Sequence, residues 1–221
     1  MKQFTILLSA IFLLSSFQAF SGGKKGSEGF SGTIKYKVSY EGREITPTEQ
    51  SQLPSEKIDY FLGSMMRMDI VTPMYSFLTI INNESLETTI LFDMMGQKMY
   101  VKKSGEEVKA AKDSLKDEKP NIKLIDETKT IAGYACKKAE IEKDGAITTV
   151  YYTEEIKANS EEYKDLPGFP LYISQKLPQD EELVMVYQAT EVSVKKPKKG
   201  IFEIPAGYEE MSDEMKKQIG M

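Results

Sequence analysis

The chain has 221 residues, with 34 Asp+Glu against 29 Lys+Arg, one Cys, no His and no Trp. Without histidine there is no Ser-His-Asp triad, no imidazole base and no His-ligated zinc; with one cysteine there is no intrachain disulfide and no Cys-rich metal site. The formal charge of −5 favours solubility and argues against nucleic acid or anionic lipid as the main partner.

Met1 to Ser21 reads as an export signal. Lys2 supplies the positive start, Phe4–Leu14 is almost unbroken apolar sequence, and Ala19 and Ser21 are small residues placed for cleavage before Gly22. The apolar run is shorter than the roughly 20 residues that span a bilayer. No other run approaches that length, so no transmembrane span is expected. No Cys follows the run, which closes the lipid-anchored export route and leaves a secreted or periplasmic product. Gly22–Gly29 is a Gly/Lys/Ser/Glu stretch with nothing to bury and is expected to be a linker. Residues 30–221 then make a single β-rich domain, large enough to bury roughly 70% of its unfolded surface.

After the linker the dominant period is two. Ile34, Tyr36, Val38 and Tyr40 alternate with Thr33, Lys35, Lys37 and Ser39, which predicts an antiparallel strand with one apolar and one wet face. Leu53–Gly63 is read as a short helix, with Pro54 in its first turn and Ile58, Phe61 and Leu62 as its stripe. Strands are predicted over Met65–Val71, Ser76–Ile81, Glu87–Asp93 and Lys98–Lys102, with turns at Asn82-Asn83 and Met95-Gly96-Gln97. Gly105–Asp117 has weak helical spacing, ended by Pro120.

Ile122–Thr128 and Tyr134–Glu142 are predicted strands joined at Ala132-Gly133. Asp144-Gly145 turns the second into Ala146–Thr153. Ser160–Asp165 is given one helical turn. Phe169–Lys176 and Leu183–Val194 follow as strands, then a basic turn at Lys195–Gly200 and a short last strand at Ile201–Ile204. Met211, Met215 and Ile219 close the chain at helical spacing. Some ten strands in sequential order with two or three small helices give a mainly β (α+β) fold: a large curved antiparallel sheet or half-barrel.

Several stretches resemble uncharacterised secreted families of Gram-negative bacteria. They are Ile131-Ala-Gly-Tyr-Ala-Cys-Lys-Lys-Ala139, Val150-Tyr-Tyr-Thr-Glu154, the closing Ile201-Phe-Glu-Ile-Pro-Ala-Gly-Tyr208 and the opening Phe30-Ser-Gly-Thr-Ile-Lys-Tyr36. Leu166-Pro-Gly-Phe-Pro-Leu171 is similar to the Leu-Pro-Gly core of the GLPGLI family, with Phe169-Pro170 in place of Leu-Ile. The resemblance implies a lipoprotein-carrier-like fold, an open curved sheet whose concave side is plugged by helices, and by fold analogy an acyl-chain ligand.

Methionine is the unusual enrichment, with clusters at Met65, Met66 and Met68 and at Met94, Met95 and Met99. Met is unbranched and polarizable and fills apolar surfaces that must adapt. One reading is a ligand groove lined by Met66, Met68, Phe77, Met99, Met185 and Tyr187, holding a lipid or other apolar small molecule. The other is a core in which Met replaces Leu. Thioether binding of Cu(I) lacks a Met-x-x-Met ladder. Cys136 sits mid-strand and is read as a small buried hydrophobe rather than a nucleophile.

Glu154-Glu155, Glu161-Glu162 and Asp180-Glu181-Glu182 fall in predicted loops and mark no catalytic pair. No EF-hand loop, P-loop or nucleotide-binding glycine motif is present, and no cofactor is expected. Lys195-Lys196-Pro197-Lys198-Lys199 is either a solvated hairpin end or a headgroup contact. Asp113-Ser114-Leu115 resembles a bacterial O-glycosylation signal. The functional expectation is a non-catalytic secreted protein with an apolar ligand in its groove. The alternatives are an envelope interaction protein with a closed core, and a hydrolase using carboxylates.

Overall fold

A computed structural model describes residues 29–94, 96–114, 120–143, 145–158, 160, 163–178 and 180–218. The expected export signal, nearly all of the linker, Met95, Leu115–Asp117, Asp144, Glu161-Glu162, Gln179 and Ile219 lie outside these residues.

Twelve strands form one sheet. They are β1 (Gly32–Glu41), β2 (Glu56–Leu62), β3 (Met65–Val71), β4 (Tyr75–Asn82), β5 (Thr88–Met94), β6 (Gln97–Lys103), β7 (Asn121–Ile131), β8 (Tyr134–Lys143), β9 (Ala146–Thr153), β10 (Phe169–Leu177), β11 (Asp180–Ser193) and β12 (Glu209–Glu210). Their order in space is β12-β6-β5-β4-β3-β2-β1-β11-β10-β9-β8-β7. Strand pairs are antiparallel except β12, which lies parallel to β6. The order departs from a simple meander at two places: β12 lies beside β6, and at a seam β11 pairs with β1, with Thr33 opposite Ser193. The sheet is open and curved, and beyond the seam it curls far enough that β7 comes back against β11.

Among the described residues three short helices accompany the sheet: α1 (Pro47–Gln52), α2 (Gly105–Ser114) and α3 (Asp213–Gln218). Among the described residues no helix is long and apolar enough to cross a membrane.

The first helix is not where the apolar stripe placed it. It runs over Pro47–Gln52, held by a capping box between Thr46 and Glu49. Pro54 follows its end rather than opening it, because a residue before proline is driven out of the helical region; Leu53 is extended at φ −89° and ψ 143°. Glu56–Leu62 is then a strand. Lys57, Asp59 and Phe61 point to the buried face, so two charged residues occupy inward positions and hide the period of two.

The tail differs as well. Ile201–Ile204 is not a strand. A 3-10 turn over Lys199–Phe202 presses Phe202 into a cluster with Leu78, Ile80 and Leu91. The chain then passes edge strand β6 as β12, and Met211 enters a second cluster with Tyr75, Phe77, Phe92 and Val101. Phe77 and Leu78 are consecutive residues of one strand, so these clusters lie on opposite faces of the sheet. The tail clasps the edge from both sides.

The resembling motifs take definite places. Ala132-Gly133 is the β7–β8 turn, with φ 48° and 87°, the two left-handed values of a tight hairpin. Gly168 lies where a Cβ would come within 2.1 Å of the Thr153 carbonyl oxygen, so the loop before β10 requires glycine there.

Candidate functional site: two faces of one sheet

Directly opposed residues of neighbouring strands share a face. The register therefore defines an inner row, Tyr36–Lys57–Ile70–Phe77–Phe92–Met99, and beside it Ile34–Asp59–Met68–Thr79–Ile90–Val101. Met66 follows Phe61 on the same face, and across the seam Tyr187 and Met185 lie opposite Val38 and Tyr40. All six residues of the anticipated groove thus project from one face. Met66 packs with Ile34, Tyr36 and Phe61; Phe77 and Met99 pack with Phe92 and Val101; Met185 packs with Val38, Leu177 and Leu183; Tyr187 touches both the first and the last of these groups. Met66, Met68, Phe77 and Met185 are buried, and Met99 and Tyr187 are half-buried. A depression of about 180 Å³ opens beside this last group, lined by Val38, Tyr40, Ile45, Leu53 and Pro54. The Tyr40 hydroxyl lies 3.8 Å from the Met185 sulfur.

The inner face also carries a charged pair. Lys57 Nζ donates to Asp59 Oδ2 at 2.8 Å, and the two residues are 3% and 0% exposed. The ammonium sits 4.8 Å from the centroid of Tyr36 and 5.8 Å from that of Tyr187. Asp59 Oδ1 accepts no hydrogen bond from any described residue. Burial pushes the Asp59 carboxyl above its ordinary value, against the pull of Lys57.

Cys136 is fully buried and its thiol is 3.5 Å from the Tyr134 carbonyl oxygen. Burial pushes its pKa up to about 11, so it is an inert thiol at neutral pH. Glu154 is paired with Lys137 at 2.8 Å, and Asp180 with Arg43 at 2.5 Å. Among the described residues, His, Cys, Asp and Glu side chains form no group of three or more that could hold a metal ion. Lys195, Lys196, Lys198 and Lys199 are exposed.

The opposite face of the seam half presents a different row. Lys138 on β8, Tyr151 on β9, Tyr172 on β10, Gln188 on β11 and Lys37 on β1 are successive cross-strand partners. Tyr151 and Tyr172 meet edge to face, with centroids 5.4 Å apart. A bulge in β7 between Ile125 and Thr128 leaves Asp126 and Glu127 without opposite partners and turns Glu127 toward this row. Glu127 accepts from Lys138 at 2.8 Å and from the Tyr151 hydroxyl. These bonds hold its carboxyl below the usual range. Lys129, also on β7, places its ammonium 5.1 Å from the Tyr172 centroid and 5.7 Å from that of Tyr151. Sequence reading treated Val150–Glu154 only as a strand. The signal it passed over was a half-exposed tyrosine, Tyr172 on β10, facing the buried Tyr151 on β9.

The sheet and its short helices define a mainly β domain, one large open curved sheet with a polar aromatic row on one face. A family model described as "N-glycanase peptide, N-terminal domain" matches residues 34–162, more than half of the chain, and the chain belongs to this family. Two solved structures of PNGF-II share the fold. The one in space group P21 is 18% identical with a TM-score of 0.53, over 86% of this chain and 33% of that one. The one in C2 is 18% identical with a TM-score of 0.52, over 86% and 32%. The chain therefore spans about a third of the length of the solved proteins it resembles. No curated protein matches it.

Proposed function

We propose that this chain is a secreted, non-catalytic recognition domain that binds carbohydrate along the tyrosine row. The observation that carries the reading is the pair Tyr151–Tyr172, set among Lys138, Gln188 and Lys37 on consecutive strands. A sugar ring offers an apolar C–H face and an equatorial belt of hydroxyls. A half-exposed tyrosine supplies flat apolar area with a polar tip, and the amide and ammonium groups beside it supply hydrogen bonds. The strands hold these groups rigidly, which reduces the ordering cost of binding. The name of the family places its relatives beside glycan chemistry, and the Met1–Ser21 export signal suits a domain that meets glycans outside the cytoplasm.

Calorimetric titration of the domain with released N-glycans tests the reading. Binding should weaken about tenfold or more in Tyr172→Ala, with the melting temperature little changed, since hot-spot aromatics cost upwards of 1.4 kcal/mol when truncated. Absence of binding to every N-glycan tried would sink it.

A second reading keeps an apolar ligand on the methionine face. It is supported by the depression beside Tyr40, Leu53 and Met185. Lipid mass spectrometry of purified protein should then recover an acyl species, and recovery should fall in Leu53→Glu.

A further inference from the structure

We propose that the ligand of the tyrosine row is an acidic glycan, one that carries a carboxylate, and that Lys129 is the group that reads the acid. This rests on the reading of the row as a carbohydrate surface.

Three neighbouring cations are already matched, while Lys37, at the far end of the row, lies opposite Gln188 and away from the tyrosine rings' ammonium contact. Lys138 is paired with Glu127 at 2.8 Å, Lys137 with Glu154 at 2.8 Å and Lys35 with Glu191 at 2.8 Å. Lys129 is different. It is exposed, and among the described residues no carboxylate lies within ion-pair distance of it. What holds its ammonium is the pair of tyrosine rings beneath it. The Tyr172 hydroxyl likewise donates to no described residue. Glu127, the nearest acid along the strand, is committed to Lys138 and to the Tyr151 hydroxyl. At the middle of the row, one ammonium and one phenol thus retain their donor capacity side by side.

The complementary ligand has a hydrogen-bond-accepting anion one ring-width from an apolar sugar face. A carboxylate takes the Lys129 ammonium and the Tyr172 hydroxyl together, while the sugar ring lies against Tyr172. Charge-assisted bonds of this kind are roughly twice as strong as neutral ones. The bulge at Asp126–Glu127 has a role here: it commits the Glu127 carboxylate to hydrogen bonds with Lys138 and the Tyr151 hydroxyl, so that Lys129 feels Glu127 only through charge at a distance and keeps its N–H donors. Glu127 in turn discourages an anion from binding at the Lys138 end, which orients the ligand.

The test compares a sialylated biantennary N-glycan, the same glycan after removal of sialic acid, and a sulfated neutral-core glycan, each titrated into the whole chain at low and at physiological salt. The sialylated glycan should bind at least about tenfold tighter than its desialylated form at low salt, and the gap should narrow as salt screens the charge. Lys129→Gln should erase the gap while keeping affinity for the neutral glycan, Lys129→Arg should keep it, and Tyr172→Phe should shrink it. Equal affinity of the unmodified chain for the sialylated and desialylated glycans overturns the acidic assignment and leaves the carbohydrate reading standing. Tighter binding of the sulfated glycan overturns the carboxylate assignment. Failure to bind any of the three removes both readings.

Discussion

Lys57 and Asp59 are separated by one residue on β2, so their side chains leave the strand on the same side and enter the core together. Removing one member leaves the other as a buried charge without its counterion. Lys57→Ala should therefore cost about 3–5 kcal/mol in urea unfolding. The double replacement Lys57→Met with Asp59→Leu should cost far less than the sum of the single changes, because no charge then remains to be desolvated. Additive losses would show that the two side chains act independently. Site and stability separate cleanly at this scale. Lys129 is exposed and Tyr172 half-exposed, and replacing Lys129 should move ligand affinity with little effect on the unfolding midpoint.

At the scale of the element, the segment between β1 and β2 is pinned by a small charged network. Arg43 donates to Glu49 at 2.7 Å and to Asp180 at 2.5 Å, which ties α1 to the start of β11. Hydrogen bonds from Arg43 and Thr46 hold the Glu49 carboxyl down at about 2. A depressed carboxyl contributes its stabilisation in full above its ordinary pKa of 4.5 and loses it as pH falls toward about 2. Amide exchange over residues 43–52 should therefore accelerate below about pH 4, and Glu49→Gln should abolish that pH dependence. The tail makes a second prediction. Met211 is 5% exposed among Tyr75, Phe77, Phe92 and Val101. Met211→Ala should cost about 2–5 kcal/mol by thermal unfolding if its seat cannot collapse, and less if neighbouring Met94 and Met99 close the gap.

The same scale shows what could be read in the sequence. β1, β3, β4 and β8 to β11 carry one apolar and one mixed face, and their period of two was legible within a few residues of their ends. β2 was not, because the residues that turn inward are a lysine and an aspartate, and alternation was judged by polarity. The 3-10 turn at Lys199–Phe202 looked like a strand because Ile201, Phe202 and Ile204 are strand-forming residues; their packing against β4 and β5 decided otherwise. The shared face of Met66, Met68, Phe77, Met99, Met185 and Tyr187 followed from strand parity. Their distribution over several packing groups, bridged by Tyr187, depends on the curl of the sheet, which no local pattern encodes. The tyrosine row depends on the register of five strands and on a bulge, and both are properties of pairing rather than of any one segment.

Taken as a whole, the molecule is two runs of neighbouring strands, β1 to β6 and β7 to β11, sewn together where Thr33 meets Ser193 and again where the tail crosses β6. Within each run the neighbours in space are neighbours in sequence, so each can form its hairpins locally, whereas the seam joins residues about 160 positions apart. The tyrosine row straddles that seam, since Lys37 belongs to the first run and Tyr172 to the second. This arrangement makes the chain a natural candidate for fragment complementation. If it is cut between β6 and β7, the first fragment retains an unpaired β1 edge and an uncovered β6 edge. The second fragment carries both closures, β11 for one and the Ile201–Met211 tail for the other. Mixed after separate purification, the two pieces should reassemble into a 1:1 complex by size-exclusion chromatography, with the melting behaviour of the intact chain. Removing the tail from the second piece should leave an assembly held at one edge only, which dissociates at markedly lower denaturant. The clasp seen at one end of the sheet would then serve as a grip on a partner as much as a lid on a core.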